Sequence, residues 1–225
     1  MGKGETTRQA ILDHAFELAR RVGLHGLTIG RLASDLDLSK SGLFAHFNSK
    51  EALQVQVLDA AAERFIDVVV RPALAAPRGE PRLRALFDRS LKWEGGQESP
   101  GGCIFMQAAF ELDDQDGPAR DRLVRLQRDW LDTIATVVSG AVTEGQFKPD
   151  TDPGQFAYDF QSVVLGYHHA ARLLRDRRAE ERARVAFDSL VAAARAEPST
   201  RSSGARRPVA VTGVQSTTAK SSRRN

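Results

Sequence analysis

Residues 33–47 read ASDLDLSKSGLFAHF. A helical pattern stops at a short polar break and then restarts for only about two turns. In the restarted piece Leu43 and Phe47 stand four apart and share one face, which leaves Lys40, Ser41, Gly42 and His46 for the opposite face. A short helix, a tight turn and a second short helix with a polar outer side make a helix-turn-helix. The first helix braces against a core and the second projects into a DNA major groove.

Outward from that stretch, the local punctuation is helical throughout. Thr6 with Gln9 three positions later forms a capping box, predicting a first helix through Ile11, Ala15, Leu18, Ala19 and Val22 that Gly23 stops. Thr28 is the expected N-cap of a second helix and Ser39 that of a third, which runs to Phe47. Asn48, with Glu51 at the box position, is expected to cap a fourth, carrying Leu53, Val57, Leu58, Ala61, Phe65 and Val68 until Pro72 ends it. Pro81 opens the next helix, which halts at Gly95 and Gly96; SPGG leads into CIFMQAAFEL; Pro118 opens a long helix to Gly145. Asp152 caps another with Pro153 in its first turn, and a last helix spans about residues 180–196. No run of period-two strand pattern appears, so the fold class is all-α: a compact three-helix unit, then a larger bundle joined to it by the fourth helix.

Composition bounds the rest. With 225 residues, 41% of them apolar, the chain can bury a core without staples. A single Cys forbids an intrachain disulfide and a Cys-rich zinc site. No apolar run of leader or membrane-span length stands at the N-terminus, so a cytoplasmic protein with no membrane association is expected. From Glu197 onward six basic residues face one acidic, so this stretch holds +5 and residues 1–196 hold −2 of the net +3. The basic excess therefore belongs to a Ser-, Thr-, Gly- and Arg-rich tail too poor in apolar side chains to offset its ordering entropy. It reads as a disordered terminus or as an arm drawn to DNA phosphates.

The run TIGRLASDLDLSKSGLFAHFNSKEAL, residues 28–53, resembles the DNA-binding segment of the tetracycline-repressor (TetR) family of bacterial transcriptional regulators. The family pattern has Thr at the second helix, Ala at its core, Ser before the recognition helix and a closing aromatic, Phe, Lys and Glu. The resemblance implies a DNA-binding domain over 1–49 and a ligand-binding and dimerisation domain over 50–196, ahead of the basic tail that composition marks over 197–225. It implies a repressor, not an enzyme, that meets a palindromic double-stranded operator as a homodimer and is released by a small-molecule effector or electrophile. No cofactor is expected.

Carried over position by position, Thr28 resembles the family's phosphate-touching residue at a helix start. Ser39, Lys40, Ser41 and Gly42 begin the recognition helix, with Lys40 suited to guanine O6/N7 or to phosphate. His46 and Lys50 resemble phosphate clamps. Phe44 departs from the pattern, since Tyr is common there; either affinity falls with the missing hydroxyl or the ring meets a thymine methyl. Pairing is expected through residues 118 to 145 and 153 to 175, the two long helices. An effector pocket is expected among Phe65, Phe87, Leu91, Trp93, Cys103, Phe105, Met106, Phe110, Trp130, Phe160, Val164, Tyr167 and His168. Cys103 follows Gly101 and Gly102 at a helix start, where free backbone amides favour thiolate; it is either a small buried thiol or a sensor of oxidants and electrophiles. His168 and His169 are adjacent on a helix and diverge by about 100°, which disfavours a shared metal. The competing readings are an enzyme with Cys103 as nucleophile and His168 or Glu111 as base, and a non-specific architectural DNA protein. Neither accounts for both residues 28–53 and the acidic balance outside the tail.

Overall fold

The computed structural model describes residues 3–95 and 101–196, and they form ten α-helices with two π-helical turns. The helices are α1 (Lys3–Gly26), α2 (Ile29–Asp35), α3 (Lys40–Phe47), α4 (Lys50–Phe65), α5 (Arg71–Leu74), α6 (Glu80–Gly95), α7 (Ile104–Leu112), α8 (Pro118–Thr143), α9 (Pro153–His168) and α10 (Ala179–Ala194). The π-helical turns cover Ile66–Val70 and His169–Leu173. Among the described residues the sole β-type pairing is an isolated bridge between Phe147 and Arg195, and no helix is long and apolar enough to cross a membrane. The basic tail expected from residue 197 lies outside the described residues.

Local chemistry sets most boundaries. Thr28 Oγ1 accepts from Arg31 N at 3.1 Å, Ser39 Oγ from Gly42 N at 3.1 Å, and the Asp152 carboxylate from Gly154 N at 2.8 Å, so each caps its helix as expected. Gly23 breaks the regularity of α1 at φ 76°, ψ 169°. A Cβ there would collide with the Glu111 carboxylate, so both the turn and the close approach require glycine.

Three expectations are corrected. Helix α1 already includes Lys3, ahead of Thr6. The cap of α4 is Ser49, whose Oγ accepts from Ala52 N at 3.0 Å, while Asn48 closes α3 at φ 62°. Asn tolerates positive φ better than most residues, so of two adjacent capping types it takes the bend and leaves Ser49 the cap. Pro72 does not end the fourth helix. The π-helical turn Ile66–Val70 leads directly into α5, and the Arg71 amide reaches back to the Ile66 carbonyl. Pro72 has no N–H to offer the Val68 carbonyl; the Arg89 guanidinium donates to that oxygen instead, at 3.1 Å.

Two hydrophobic cores result. One gathers α1–α4 with α7 and the first half of α8, including Phe16, Leu32, Leu43, Phe47, Leu58, Ile104 and Leu123. The other joins α6, the second half of α8, α9 and α10 around Phe87, Ile134, Phe160 and Phe187. Trp93 and Phe105 pack on both. The three-helix unit therefore does not close its core at residue 49; α4 and α7 are part of it. Helix α8 packs against α4, α6, α7 and α9 and keeps an exposed polar face that carries Asp121, Arg125, Asp129, Asp132 and Thr136.

Candidate functional site

The recognition-helix candidate α3 is held from one side only. Leu43 and Phe47 are fully buried, while Lys40, Ser41 and Gly42 are exposed and Phe44 keeps 53% of its surface in solvent. That split puts a cation, a hydroxyl, a bare backbone and an aromatic ring on one outward face, the set needed to meet phosphates and base edges. Lys40 lies along α2 at Gly30, where a Cβ would make ordinary contact with it, 3.5 Å from Lys40 Cε. His46 is half-buried beside Phe47, with ring centroids 6.3 Å apart. Lys50 is exposed and its Nζ donates to the His25 carbonyl at 3.1 Å, which fixes it at the C-terminal end of α1. The Thr28 and Ser39 hydroxyls both serve as helix caps, so what they present to the outside is mainly the helix start they organise.

The three-helix unit is tied to the bundle by polar contacts between α1 and the segment that opens and carries α7. Buried Arg20 donates through Nε to the Gly102 carbonyl at 2.9 Å, and Gln107 Nε2 donates to the Arg20 carbonyl at 3.2 Å. At the other end of α7 the Glu111 carboxylate accepts from His25 N at 2.9 Å. Gln54 of α4 donates to the Leu24 carbonyl at 2.8 Å inside the core.

A cavity of about 280 Å³ opens where the two cores meet. Its walls come from α4 and the following π-helical turn (Phe65, Ile66, Val70), α6 (Ser90, Glu94), α7 (Phe105, Met106) with Cys103 just before it, α8 (Leu126, Asp129, Trp130, Thr133) and α9 (Gln161, Val164). Phe65 is the hub, meeting Trp130, Trp93 and Phe105 edge-on at 5.0, 5.4 and 6.0 Å between centroids. Trp130 Nε1 donates to Gln161 Oε1 at 2.9 Å, which keeps the indole in the wall.

The expected pocket residues divide. Phe65, Cys103, Phe105, Met106, Trp130 and Val164 line the cavity. Phe87, Leu91, Phe160 and Tyr167 do not; they are buried in the bundle core, where Phe87 stacks on Phe187 at 3.9 Å. Trp93 stands behind the wall. Phe110 is 68% exposed and faces a separate shallow groove with Leu165, His168 and Leu173. Phe87, Leu91, Trp93, Phe160 and Tyr167 sit at helical core spacing, which marks burial without distinguishing a packed core from the edge of a void.

Sequence reasoning missed the principal polar group. Glu94 is only 4% exposed, lines the cavity, and accepts from His168 Nδ1 at 2.6 Å. A signal was present: Glu94 follows Phe87 by seven residues and Ser90 by four, an acid on the buried face of α6. Cys103 lies beside it. The Trp93 indole donates to Cys103 Sγ at 3.3 Å, and the thiol bonds to the Glu94 carboxylate. Burial first, and the nearby Glu94 charge second, push the thiol pKa well up; the backbone N–H of Met106 and the indole pull less strongly the other way. Of the two readings of Cys103, its burial fits the small buried thiol and does not favour the thiolate of a helix start.

The exposed large apolar side chains of the bundle stand in two places: Ile66, Val68 and Leu74 beyond the end of α4, and Tyr158, Leu165, Leu173 and Leu174 on α9 and after it, with Val185 on α10 and Phe110 on α7. None lies on α8.

Comparison with known proteins fits this anatomy. Residues 11–57 match the model for bacterial regulatory proteins of the tetR family, and residues 79–187 match a tetracyclin repressor-like C-terminal domain. The HTH-type transcriptional regulator SrpR of Pseudomonas putida is 25% identical over 180 residues, 79% of this chain and 81% of SrpR. The fold is similar to that of a TetR transcriptional regulator from Chloroflexus aurantiacus J-10-FL, with a TM-score of 0.72, 27% identity, and coverage of 85% of this chain and 96% of that one. It is also similar to AibR in complex with isovaleryl coenzyme A and operator DNA, with a TM-score of 0.65, 23% identity, and coverage of 83% and 97%. The chain belongs to the TetR family of ligand-responsive, DNA-binding transcriptional regulators.

Proposed function

We propose that the protein acts in the cytoplasm as a homodimeric repressor of a partly palindromic operator, and that a small molecule entering the cavity at the seam of the two cores releases it. The observation that carries this reading is the one-sided burial of α3, with Leu43 and Phe47 inside and Lys40, Ser41, Gly42 and Phe44 outside. One such helix reads few bases, so two copies about one helical turn apart are needed for useful affinity. The apolar surface on α9, the π-helical turn after it and α10 supports pairing there, and the polar character of the exposed face of α8 argues against the α8–α9 pairing expected from helix length.

The cavity adjoins both routes to the DNA head. Phe65, Ile66 and Val70 belong to the α4 rod that starts at Lys50, and Cys103, Phe105 and Met106 flank the α7 segment tied to Arg20 and His25. A ligand favouring a different seating of α4 or α7 by about 1–3 kcal/mol changes operator affinity roughly 5- to 150-fold. Catalysis plays no part in this reading. The group beside Cys103 is a carboxylate, a weak base facing a thiol whose pKa is raised, while Glu111 is engaged at His25.

The test is fluorescence anisotropy of the full chain on DNA flanking its own gene, with sedimentation of the same samples. Two protomers per site, binding that weakens steeply with salt, and weak binding to random DNA are expected. Monomers at micromolar concentration with and without DNA, or equal affinity for random DNA, would overturn the proposal.

A further inference from the structure

We propose that the effector is an amine: an apolar body of cavity size bearing one cationic ammonium group that docks on Glu94. This inference rests on the cavity being the effector site and adds its ligand class.

The lining is apolar and aromatic apart from a few groups, and those groups have one sign. Glu94 lies inside and Asp129 at the mouth, whereas no Lys or Arg lines the cavity. Of the remaining polar side chains Gln127 is uncharged, and Gln161, Ser90 and Thr133 are already engaged. Gln161 accepts from Trp130 and points its amide nitrogen at Met106 Sδ, and Ser90 donates to the Leu86 carbonyl at 2.8 Å. Glu94 keeps free capacity. An ionised carboxylate accepts about four hydrogen bonds, and the His168 imidazole and the Cys103 thiol supply two.

A carboxylate this buried is costly to leave with so few partners, so a ligand that adds a charged donor gains more here than in water. The aromatic faces of Phe65, Phe105 and Trp130 add cation–π attraction near the same space. An anionic head would meet Glu94 and Asp129 without a compensating cation on the wall. Arg78 and Arg82 line a neighbouring groove that shares Asp129 and Thr133 with the cavity, and Arg82 is bonded to the Ala76 carbonyl.

The experiment uses three probes with one body and different heads: 4-phenylbutylamine, 4-phenylbutanol and 4-phenylbutyrate. Binding to the full chain is measured by calorimetry at neutral pH. The amine is expected to bind at least about tenfold more tightly than the alcohol, with the carboxylate weakest, and to lower operator affinity. In Glu94→Gln the amine's advantage disappears while the alcohol binds as before. Asp129→Asn, at the exposed mouth, reduces the amine's advantage only slightly. The wild-type ranking alone decides the matter if Glu94→Gln fails to fold. An alcohol or carboxylate that binds as tightly as the amine, or an amine preference that survives Glu94→Gln, overturns the ammonium assignment and leaves the cavity reading standing. No binding by any of the three overturns both.

Discussion

Leu43 and Phe47 fix the recognition helix by the same burial that Phe87 and Phe187 use to fix the bundle, yet the two regions place their working surfaces on opposite sides of that burial. In the DNA head the buried residues are scaffold and the solvent face of α3 is the proposed reading surface. In the bundle the solvent face is candidate interface, and the proposed working surface is a gap that the core residues fail to fill. A short helix with an odd outer face announces itself in a few consecutive residues. A gap walled by segments from α4 to α9 does not, because no stretch of chain carries it.

The sharpest way to break this contrast is to truncate one aromatic from each side of the bundle's own divide. Phe87→Ala removes a ring stacked at 3.9 Å on Phe187 and edge-on to Phe160 at 5.6 Å, and should cost about 3–5 kcal/mol in urea unfolding. Phe65→Ala removes a half-buried ring that already borders a void, so it should cost clearly less while altering ligand binding. Equal costs would mean that Phe65 is core like the rest and that the cavity closes in solution.

The same divide explains what the sequence disclosed. Thr28, Ser39 and Asp152 act as caps because capping is settled by a side chain and an amide two or three residues away. The slip from Asn48 to Ser49 arose where two capping residues are adjacent and only φ separates them. Pro72 misled because its missing donor is replaced from α6, by Arg89, which no local rule contains. Among the expected pocket residues, spacing found the core and could not tell Phe65 and Trp130 at the void from Phe87 and Phe160 away from it. Glu94 was the informative exception. An acid on a buried helical face breaks the local pattern, as a functional site often does.

A smaller effect sharpens the head's side of the comparison. If α3 reads DNA with its outer face alone, Lys40→Ala should weaken operator binding by about 1–3 kcal/mol per half-site and leave the melting temperature unchanged. The shape of the loss separates two roles: a uniform drop across sequences with a shallower salt slope marks a phosphate contact, and relaxed preference at one base pair marks a guanine contact. A fall in melting temperature without loss of binding would make Lys40 a brace against Gly30 and α2.

The smallest effect lies farthest from the head, where the bundle closes its chain ends by charge and not by caps. The Arg195 guanidinium beside Glu80, joined by Arg84, holds that carboxyl down at about 2 from an ordinary 4.5, against the opposing pull of burial. Arg84 also bonds Asp188 at 2.7 Å, so the group ties the start of α6 to the end of α10. A carboxyl depressed in the folded state adds stability that is complete above its unfolded value and is lost as pH falls through its folded value. Glu80→Gln should therefore cost only about 1 kcal/mol at neutral pH, because Arg195 is half exposed and screened. That cost should shrink between pH 4.5 and 2, where the wild type loses the charge the variant never had. It should also shrink in high salt. Thermal melts of both proteins across that range check the point. A cost that persists unchanged at pH 2 would show that packing at the ends of α6 and α10, and not the charge on Glu80, keeps the bundle shut.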